Sequence, residues 1–405
     1  MLLAVLGLLS AAGILSLLQL AVATGPAHRV AYAAATFTFL LSTAQAAPAL
    51  ALASRLGRGL WGVPVRRVAD LWALAGLVTT PIGILILFQL PDWRGRPSIW
   101  LDWPGAPQVW DSLSLLLLLL VGLGLVYVTT LPDRRWRLLP APAWRGTPRQ
   151  WQVISLAARA LGSLYLMTFV FVQLLVSSDL ALSLVPGWGS ANFPAYHAVS
   201  ALEAGVATGV LSLAVLRRSA ERVHPDVFHA CAKLLLALAL LWFYFTWSEL
   251  LTLWYGRTPA EQTVLELLMF GPSLPLFFGA GLLSCVIPVG LLIWNPIRRS
   301  PAGTTAAAAC VLVGTLLDRL RIELAAWSVV GPVRDRLDDI PARLPTPDLL
   351  DITILVGLPA AAVLVYLLAL RVLPAVPGWE LGERRLLHVE RPFGRTRVLV
   401  VGKPD

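Results

Sequence analysis

The chain has 405 residues, of which 57% are hydrophobic and 14% are charged, and it carries a formal net charge of +9. Soluble domains carry about 25% charged residues, so this composition excludes an ordinary soluble domain and predicts a polytopic membrane protein. The positive charge does not predict nucleic-acid binding, because the basic residues lie mostly in short segments between apolar stretches. Basic residues in such segments set the orientation of a membrane protein.

Apolar stretches of bilayer-crossing length predict an all-α fold with about ten transmembrane helices. They form one transmembrane domain over residues 1–373, which a tail over residues 374–405 follows. Residues 1–23 hold no basic residue, although a signal peptide has a basic start, so the first stretch is predicted to stay as a span. The predicted spans are roughly 2–23, 30–54, 66–90, 110–131, 153–178, 195–217, 228–254, 270–295, 304–328 and 349–373.

Arginine is unevenly distributed between the two sets of connecting loops. It is concentrated in segments 55–67, 134–149, 217–222 and 298–299, and the loops between them hold fewer arginines. Because the richer side of a membrane protein faces the cytoplasm, both termini are predicted to be cytoplasmic.

The outer loop 91–109 differs in composition, with four prolines and three tryptophans. Two interpretations stay open. The loop is either an ordered cap that touches a partner, or part of an aromatic belt at the membrane surface without a partner.

No cofactor or metal site is predicted in this chain. The three cysteines all lie inside apolar stretches, and no CxxC motif occurs, so the sequence lacks a motif for an iron–sulfur cluster or a c-type haem. His28 and His197 could hold a b-type haem on facing helices, but we do not favour that interpretation.

The stretch from His229 to Glu261 combines a long apolar helix with polar interruptions. It contains Lys233, Ser248 and Glu249 and reads HACAKLLLALALLWFYFTWSELLTLWYGRTPAE. Ionisable groups inside a membrane are paired, near an interface or functional. We therefore expect this helix at the centre of a bundle, with its polar residues facing other helices.

The end of this stretch resembles the membrane subunits of the polysulfide reductase/NrfD family, and most of all the large membrane subunits of alternative complex III, a bacterial quinol oxidoreductase. The shared residues are Trp254, Tyr255, Pro259 and Glu261. The chain differs from the usual family motif at Glu249, Arg257 and Ala260. Further similar motifs follow in order between residues 55 and 380, namely Trp61 to Asp70, Trp110-Asp111, Leu131-Pro132-Asp133, Ser178-Asp179, Val185 to Trp188 and Pro374 to Glu380.

This resemblance implies two four-helix bundles, formed by spans two to five and six to nine, with the first and last spans beside them. It implies a multi-pass protein of the bacterial inner membrane. The implied partners are a homologous NrfD-like membrane subunit, an extracytoplasmic iron–sulfur subunit, cytochrome c subunits, small membrane subunits and lipid or quinone, and no nucleic acid. The chain would bind no cofactor, and menaquinol or another quinol would bind within the complex.

The resemblance also bears on where quinol is oxidised. In the quinol-binding members, a histidine lies six residues before the aspartate that ends the fifth span, and here Gln173 and Asp179 occupy those positions. Glutamine can hydrogen-bond to a quinone oxygen but cannot accept its proton. The chain is therefore more similar to the second (ActF-type) subunit than to the quinol-site (ActC-type) subunit. We favour an interhelical hydrogen bond for Gln173.

Several carboxylates within the predicted spans are candidates for a proton path. Glu203 has no charged neighbour in its own helix and lies about 12 Å below the outer surface. In the ninth span, helical spacing places Asp318 beside Arg321 and Arg319 beside Glu323, and Glu249 lies near the end of the seventh. The ninth-span charges are either a structural ion cluster or part of a proton relay.

The sequence thus favours a subunit, without a redox group of its own, of a quinol:cytochrome c or other quinol:electron-acceptor oxidoreductase. It would anchor the complex and conduct protons. One alternative is the NrfD-like subunit that itself holds the quinol site. Another is a stand-alone transporter, since transporters use helices interrupted by glycine or proline and Pro81, Pro272, Pro275 and Pro288 lie within spans. A transporter would purify alone and without haem absorbance.

Overall fold

The computed structural model describes the backbone of residues 1–22, 27–57, 60–91, 96, 98–100, 103–132, 147–219, 225–331, 336–375, 388–394 and 396–401. In these residues the protein is mainly α-helical, and nine helices are long and apolar enough to cross a membrane. The prediction of a polytopic, helical membrane protein is confirmed at this level. The side chain of His28 and most of the tail lie outside the described residues.

The α-helices follow one another along the described chain as α1 (Leu2–Val22), α2 (Ala31–Thr43), α3 (Pro48–Leu56), α4 (Val63–Asp70), α5 (Gly76–Leu87), α6 (Gln108–Thr130), α7 (Pro148–Leu180), α8 (Phe193–Ser219), α9 (Pro225–Gly256), α10 (Pro259–Leu265), α11 (Leu274–Gly281), α12 (Ile287–Leu292), α13 (Asn295–Arg299), α14 (Pro301–Ser328) and α15 (Leu349–Val372). Three membrane spans are composites of these elements, over Ala31–Leu56, Val63–Leu87 and Leu274–Leu292. Proline contributes to such interruptions because it cannot donate to the preceding turn. Pro48 begins α3, and Pro288 lies just after a π-helical segment over Leu282–Val286.

Helix α14, the ninth predicted span, has 28 residues but is not one of the nine helices above. Four charged residues interrupt its second half, namely Asp318, Arg319, Arg321 and Glu323. Its role as a membrane span stays a prediction.

The helices form two groups that meet along α2. In the first group, α2 packs on α5, α5 on α6, and α6 on α7, and in the second group α8 packs on both α9 and α14. Helix α2 contacts α8 and α14, which joins the two groups, and α1 packs along α15.

The centre of the protein is α2 rather than α9. In the most apolar 18-residue window of the span Ala31–Leu56, 89% of the residues are buried. The corresponding window of α9 is 39% buried. Lys233 of α9 is exposed, whereas Glu249 near its other end is buried. The expectation of a central α9 is therefore wrong. A long apolar helix can equally face lipid, because lipid tails are as apolar as a protein core.

The tail contains an antiparallel hairpin that the sequence did not predict. Its strands are β1 (His388–Phe393) and β2 (Thr396–Val401), and their register pairs His388 with Val401 and Phe393 with Thr396. Gly394 in the turn has a φ of 64°, a conformation that glycine adopts without steric cost.

The close approach of α1 to α15 yields a stability prediction. A Cβ atom at Gly13 would lie 2.8 Å from the Cα of Gly357, whereas one at Gly7 would meet nothing within 4 Å. Overpacking costs about 1–3 kcal/mol, so Gly13→Val should lower the midpoint of thermal unfolding in detergent. Gly7→Val, on the same helix, is the matched control. Equal effects of the two substitutions would contradict this packing.

Candidate functional site: a buried charge cluster

The most unusual feature of the core is a set of charged side chains on α14. Asp318, Arg319 and Arg321 are 1%, 0% and 4% exposed. They lie where α14 packs against α2 and α8, the two helices that join the halves of the protein. Charges at such a position are costly unless each is paired and hydrogen-bonded.

Asp318 binds both guanidinium groups. Its Oδ1 accepts a hydrogen bond of 2.8 Å from Nη2 of Arg321, and its Oδ2 accepts one of 3.3 Å from Nη1 of Arg319. The predicted Asp318–Arg321 pair is confirmed. One carboxylate therefore serves two cations, and the triad carries one positive charge in excess.

The remaining donors of the two arginines bind groups on other helices. Arg319 donates to the Oγ of Ser42 on α2 at 3.1 Å and to the Oγ of Ser200 on α8 at 3.0 Å. Arg321 donates to the carbonyl oxygen of Leu268 at 2.8 Å. The triad thus links α14 to α2, to α8 and to the segment before α11.

The predicted pair between Arg319 and Glu323 does not form. The carboxylate of Glu323 instead accepts a hydrogen bond of 3.2 Å from Nε1 of Trp327, and no ion pair within 4 Å joins it to Arg319 in the part of the chain that the structure describes. Helical spacing makes the contact feasible, but Asp318, α2 and α8 use the donors of Arg319.

Glu203 on α8 differs from Asp318 because no basic side chain of the described residues forms an ion pair with it. It is 1% exposed, and its Oε1 has no hydrogen-bond partner among the described residues. The charged group that acts on it is Asp318. An ionised carboxylate without a partner is costly away from water, so this carboxyl group is suited to hold a proton.

Other buried polar atoms near this cluster also lack a hydrogen-bond partner within the described ranges. They are Nδ1 of His197, Nε1 of Trp242 and Oγ of Ser284, and the hydroxyl of Tyr196 lies close to Asp318 and Arg321 without a well-formed hydrogen bond to either. Buried polar groups are nearly always paired, often with ordered water. These residues were not predicted as a set from the sequence. Tyr196 could have been found, because it lies seven residues before Glu203 and so shares a helix face with it.

Glu249 and Arg321 of the triad line the same small cavity. Its carboxylate accepts hydrogen bonds from the Oγ of Ser190 at 2.7 Å and the Nδ2 of Asn192 at 3.1 Å. A cavity of about 20 Å³ lies between Glu249, Tyr196 and Arg321, which is room for about one water molecule. The cavity brings Glu249 next to the triad.

A separate constellation forms around Asp179 on α7, the helix that also holds Gln173. Asp179 faces Asp111, which accepts a hydrogen bond of 2.6 Å from Nε1 of Trp100. Asp179 also lines a cavity of about 10 Å³ together with Arg96. Gln173 is fully buried, and its amide has no hydrogen-bond partner among the residues described, so the interpretation as an interhelical hydrogen bond is wrong.

The described part of the outer loop forms an ordered cap over this second constellation. The Trp100 ring lies 5.7 Å from that of Trp103 and 6.0 Å from that of Phe171. Arg96 donates to the carbonyl oxygens of Ser183 at 3.2 Å and Gly331 at 2.6 Å. The loop is thus tied to the segments that follow α7 and α14.

The structure brings Glu203, Asp318, Arg319 and Arg321 together, and it places Glu249 across a cavity from Arg321. Glu323 shares the helix of the triad but binds Trp327. No protein-family model matches this chain, and a comparison with curated proteins finds no match either.

The triad yields a prediction about stability. Asp318→Asn would remove the carboxylate that two buried guanidinium groups share, and breaking a buried pair costs about 3–5 kcal/mol. We expect a large fall in folded yield and in the midpoint of thermal unfolding. Glu323→Gln is the matched control, because an amide oxygen can still accept the hydrogen bond from Trp327. Similar losses in both variants would contradict a structural role specific to Asp318.

Proposed function

We propose that this chain is an integral membrane subunit of a quinol-oxidising electron-transfer complex similar to alternative complex III. In this proposal it anchors the complex and conducts protons. The ordered family-like motifs between residues 55 and 380 support the kind of complex. The buried carboxyl group of Glu203, unpaired beside the triad, carries the proposal of proton conduction.

The packing of the helices supports the architecture that the resemblance implies. Spans two to five correspond to α2–α3, α4–α5, α6 and α7, and spans six to nine to α8, α9, α11–α12 and α14. These sets form the two proposed four-helix bundles, and α1 and α15 pack together beside them. With α14 as a tenth span, both termini would lie in the cytoplasm of a bacterial cell.

The proposed partners are a homologous membrane subunit, an outer iron–sulfur subunit, cytochrome c subunits and small membrane subunits. Quinol would bind elsewhere in the complex, and this chain would carry no redox group.

The contrast between Glu203 and Asp318 indicates which group would change its protonation. A proton on Asp318 would leave the charges of Arg319 and Arg321 without compensation, whereas a proton on Glu203 removes an unpaired buried charge. We therefore assign the proton-carrying step to Glu203. Asp318 keeps the arginines in place, and the cavity beside Glu249 provides space for a water on the way to the triad.

Glu203→Gln tests this assignment, since it keeps the shape of the side chain and removes its titration. We expect normal assembly and continued electron transfer, with the ratio of protons taken up per electron falling to the background of the vesicles. Glu203→Asp should keep part of the activity, and Glu266→Gln, at an exposed position, should change nothing. An unchanged ratio in Glu203→Gln would refute a relay through this residue.

The second candidate function is quinol binding by this chain, at the constellation of Gln173 and Asp179. The observation that favours it is the cavity beside Asp179, next to the tryptophan-rich cap. Against it, Gln173 cannot accept a proton from quinol, and a cavity of about 10 Å³ is far below the roughly 300–1,000 Å³ of small-molecule sites.

Substitution of these two residues separates the candidates. If quinol is oxidised elsewhere, Gln173→Ala should leave quinol turnover by the purified complex largely intact, and Asp179→Ala should reduce assembly more than turnover. Steady-state quinol oxidation is measured per assembled complex, so that assembly and turnover are scored separately. A large loss of turnover in a fully assembled complex would favour the second candidate.

A further inference from the structure

A cluster of basic side chains lies where α9 meets α13, away from the triad. The short helix α13 packs against α9. The charged side chains that act on His229 of α9 are Lys233, Arg298 and Arg299, and all three are basic. The arrangement concentrates positive charge at one place on the side of the protein that we predict to be cytoplasmic.

Two nitrogen atoms within this cluster lack a hydrogen-bond partner among the described residues. Nε of Arg298 and Nδ1 of His229 are buried without a hydrogen-bond partner in the described part of the chain. Nη1 of Arg298 donates to the carbonyl oxygen of Leu292 at 3.3 Å, which holds the guanidinium against the end of α12. Both nitrogens are shielded from solvent, so a ligand from outside the chain would first meet the exposed side chains of Lys233 and Arg299.

Lys233 extends the cluster toward the membrane. It lies eight residues after Pro225, which is about 12 Å along α9, and its side chain is exposed. A lysine at this depth reaches back toward the interface with its amino group. General enrichment of arginine in cytoplasmic loops does not account for a lysine within the helix.

Apolar surface adjoins the basic cluster. Leu240, about two turns farther along α9 than Lys233, is 51% exposed, and Ile293 and Trp294, beside α13, are 61% and 65% exposed. Helices α9 and α12 pack against each other, so these surfaces belong to neighbouring elements. The combination fits an amphiphile with an anionic head and apolar chains.

We propose that the basic cluster of His229, Lys233, Arg298 and Arg299 binds the headgroup of an anionic phospholipid. The phosphodiester would accept hydrogen bonds from the exposed amino group of Lys233 and the exposed guanidinium group of Arg299, and the nearby Arg298 would add a third positive charge, since lysine and arginine both bind phosphate. The acyl chains would lie on the exposed apolar surface of α9 and α12. This site is independent of the proposed proton path.

Lipid binding by the full-length protein in detergent tests the proposal. Native mass spectrometry would compare retention of phosphatidylglycerol with that of phosphatidylcholine. Each basic residue near a membrane surface contributes about 1 kcal/mol to binding of anionic lipid, so Lys233→Gln and Arg298→Gln should each weaken phosphatidylglycerol binding about fivefold. Arg149→Gln, an exposed arginine on the same predicted side, should leave it unchanged.

Three outcomes would overturn the proposal. These are equal retention of phosphatidylcholine, an equal loss of binding in Arg149→Gln, and displacement of phosphatidylglycerol by inorganic phosphate at a matching concentration. The last outcome would indicate a site for a free anion. Arg298→Lys keeps the charge and should keep most of the binding, which gives a second variant if Arg298→Gln folds poorly.

Discussion

The contact between Asp318 and the two arginines beside it is the constraint on which the rest of the core depends. Three charges are buried together, and each would be costly alone. Arg319 can remain there because Asp318, Ser42 and Ser200 satisfy its donors. Because those partners belong to α14, α2 and α8, the same contacts fix the position of α8, and therefore of Glu203, relative to the triad.

The buried polar groups of this protein fall into two kinds. The arginines of the triad donate hydrogen bonds to other segments, and Glu249 accepts hydrogen bonds from the segment before α8, so these groups are held in fixed positions. Glu203 has an unpartnered carboxyl oxygen among the described residues, so it has capacity to bind water or a proton. A relay needs both kinds, because a proton carrier must be held in place by groups whose own protonation does not change.

Sequence periodicity predicted the apolar spans and the Asp318–Arg321 pair, since both depend on neighbours within one helix. It could not predict the partners of Arg319, which lie 119 and 277 residues away in the chain, or those of Glu249 before α8. It also wrongly put α9 at the centre of a bundle. Apolar residues cover both the lipid-facing and the protein-facing sides of a membrane helix, so hydrophobicity alone does not distinguish the two. Whether the Gln173 amide has a partner depends on the side chains of neighbouring helices, which periodicity within one helix does not specify.

Ordered water between the buried carboxylates is the most direct test of the proton path. A structure of the isolated complex that resolves water would show whether the space around Glu249, Asp318 and Glu203 is hydrated. The proposed path predicts waters bound to the hydroxyl of Tyr196 and to the carboxyl of Glu203, in a chain that reaches the cavity beside Glu249. Dry, closely packed apolar contacts around Glu203, with no water between it and Asp318, would contradict the path.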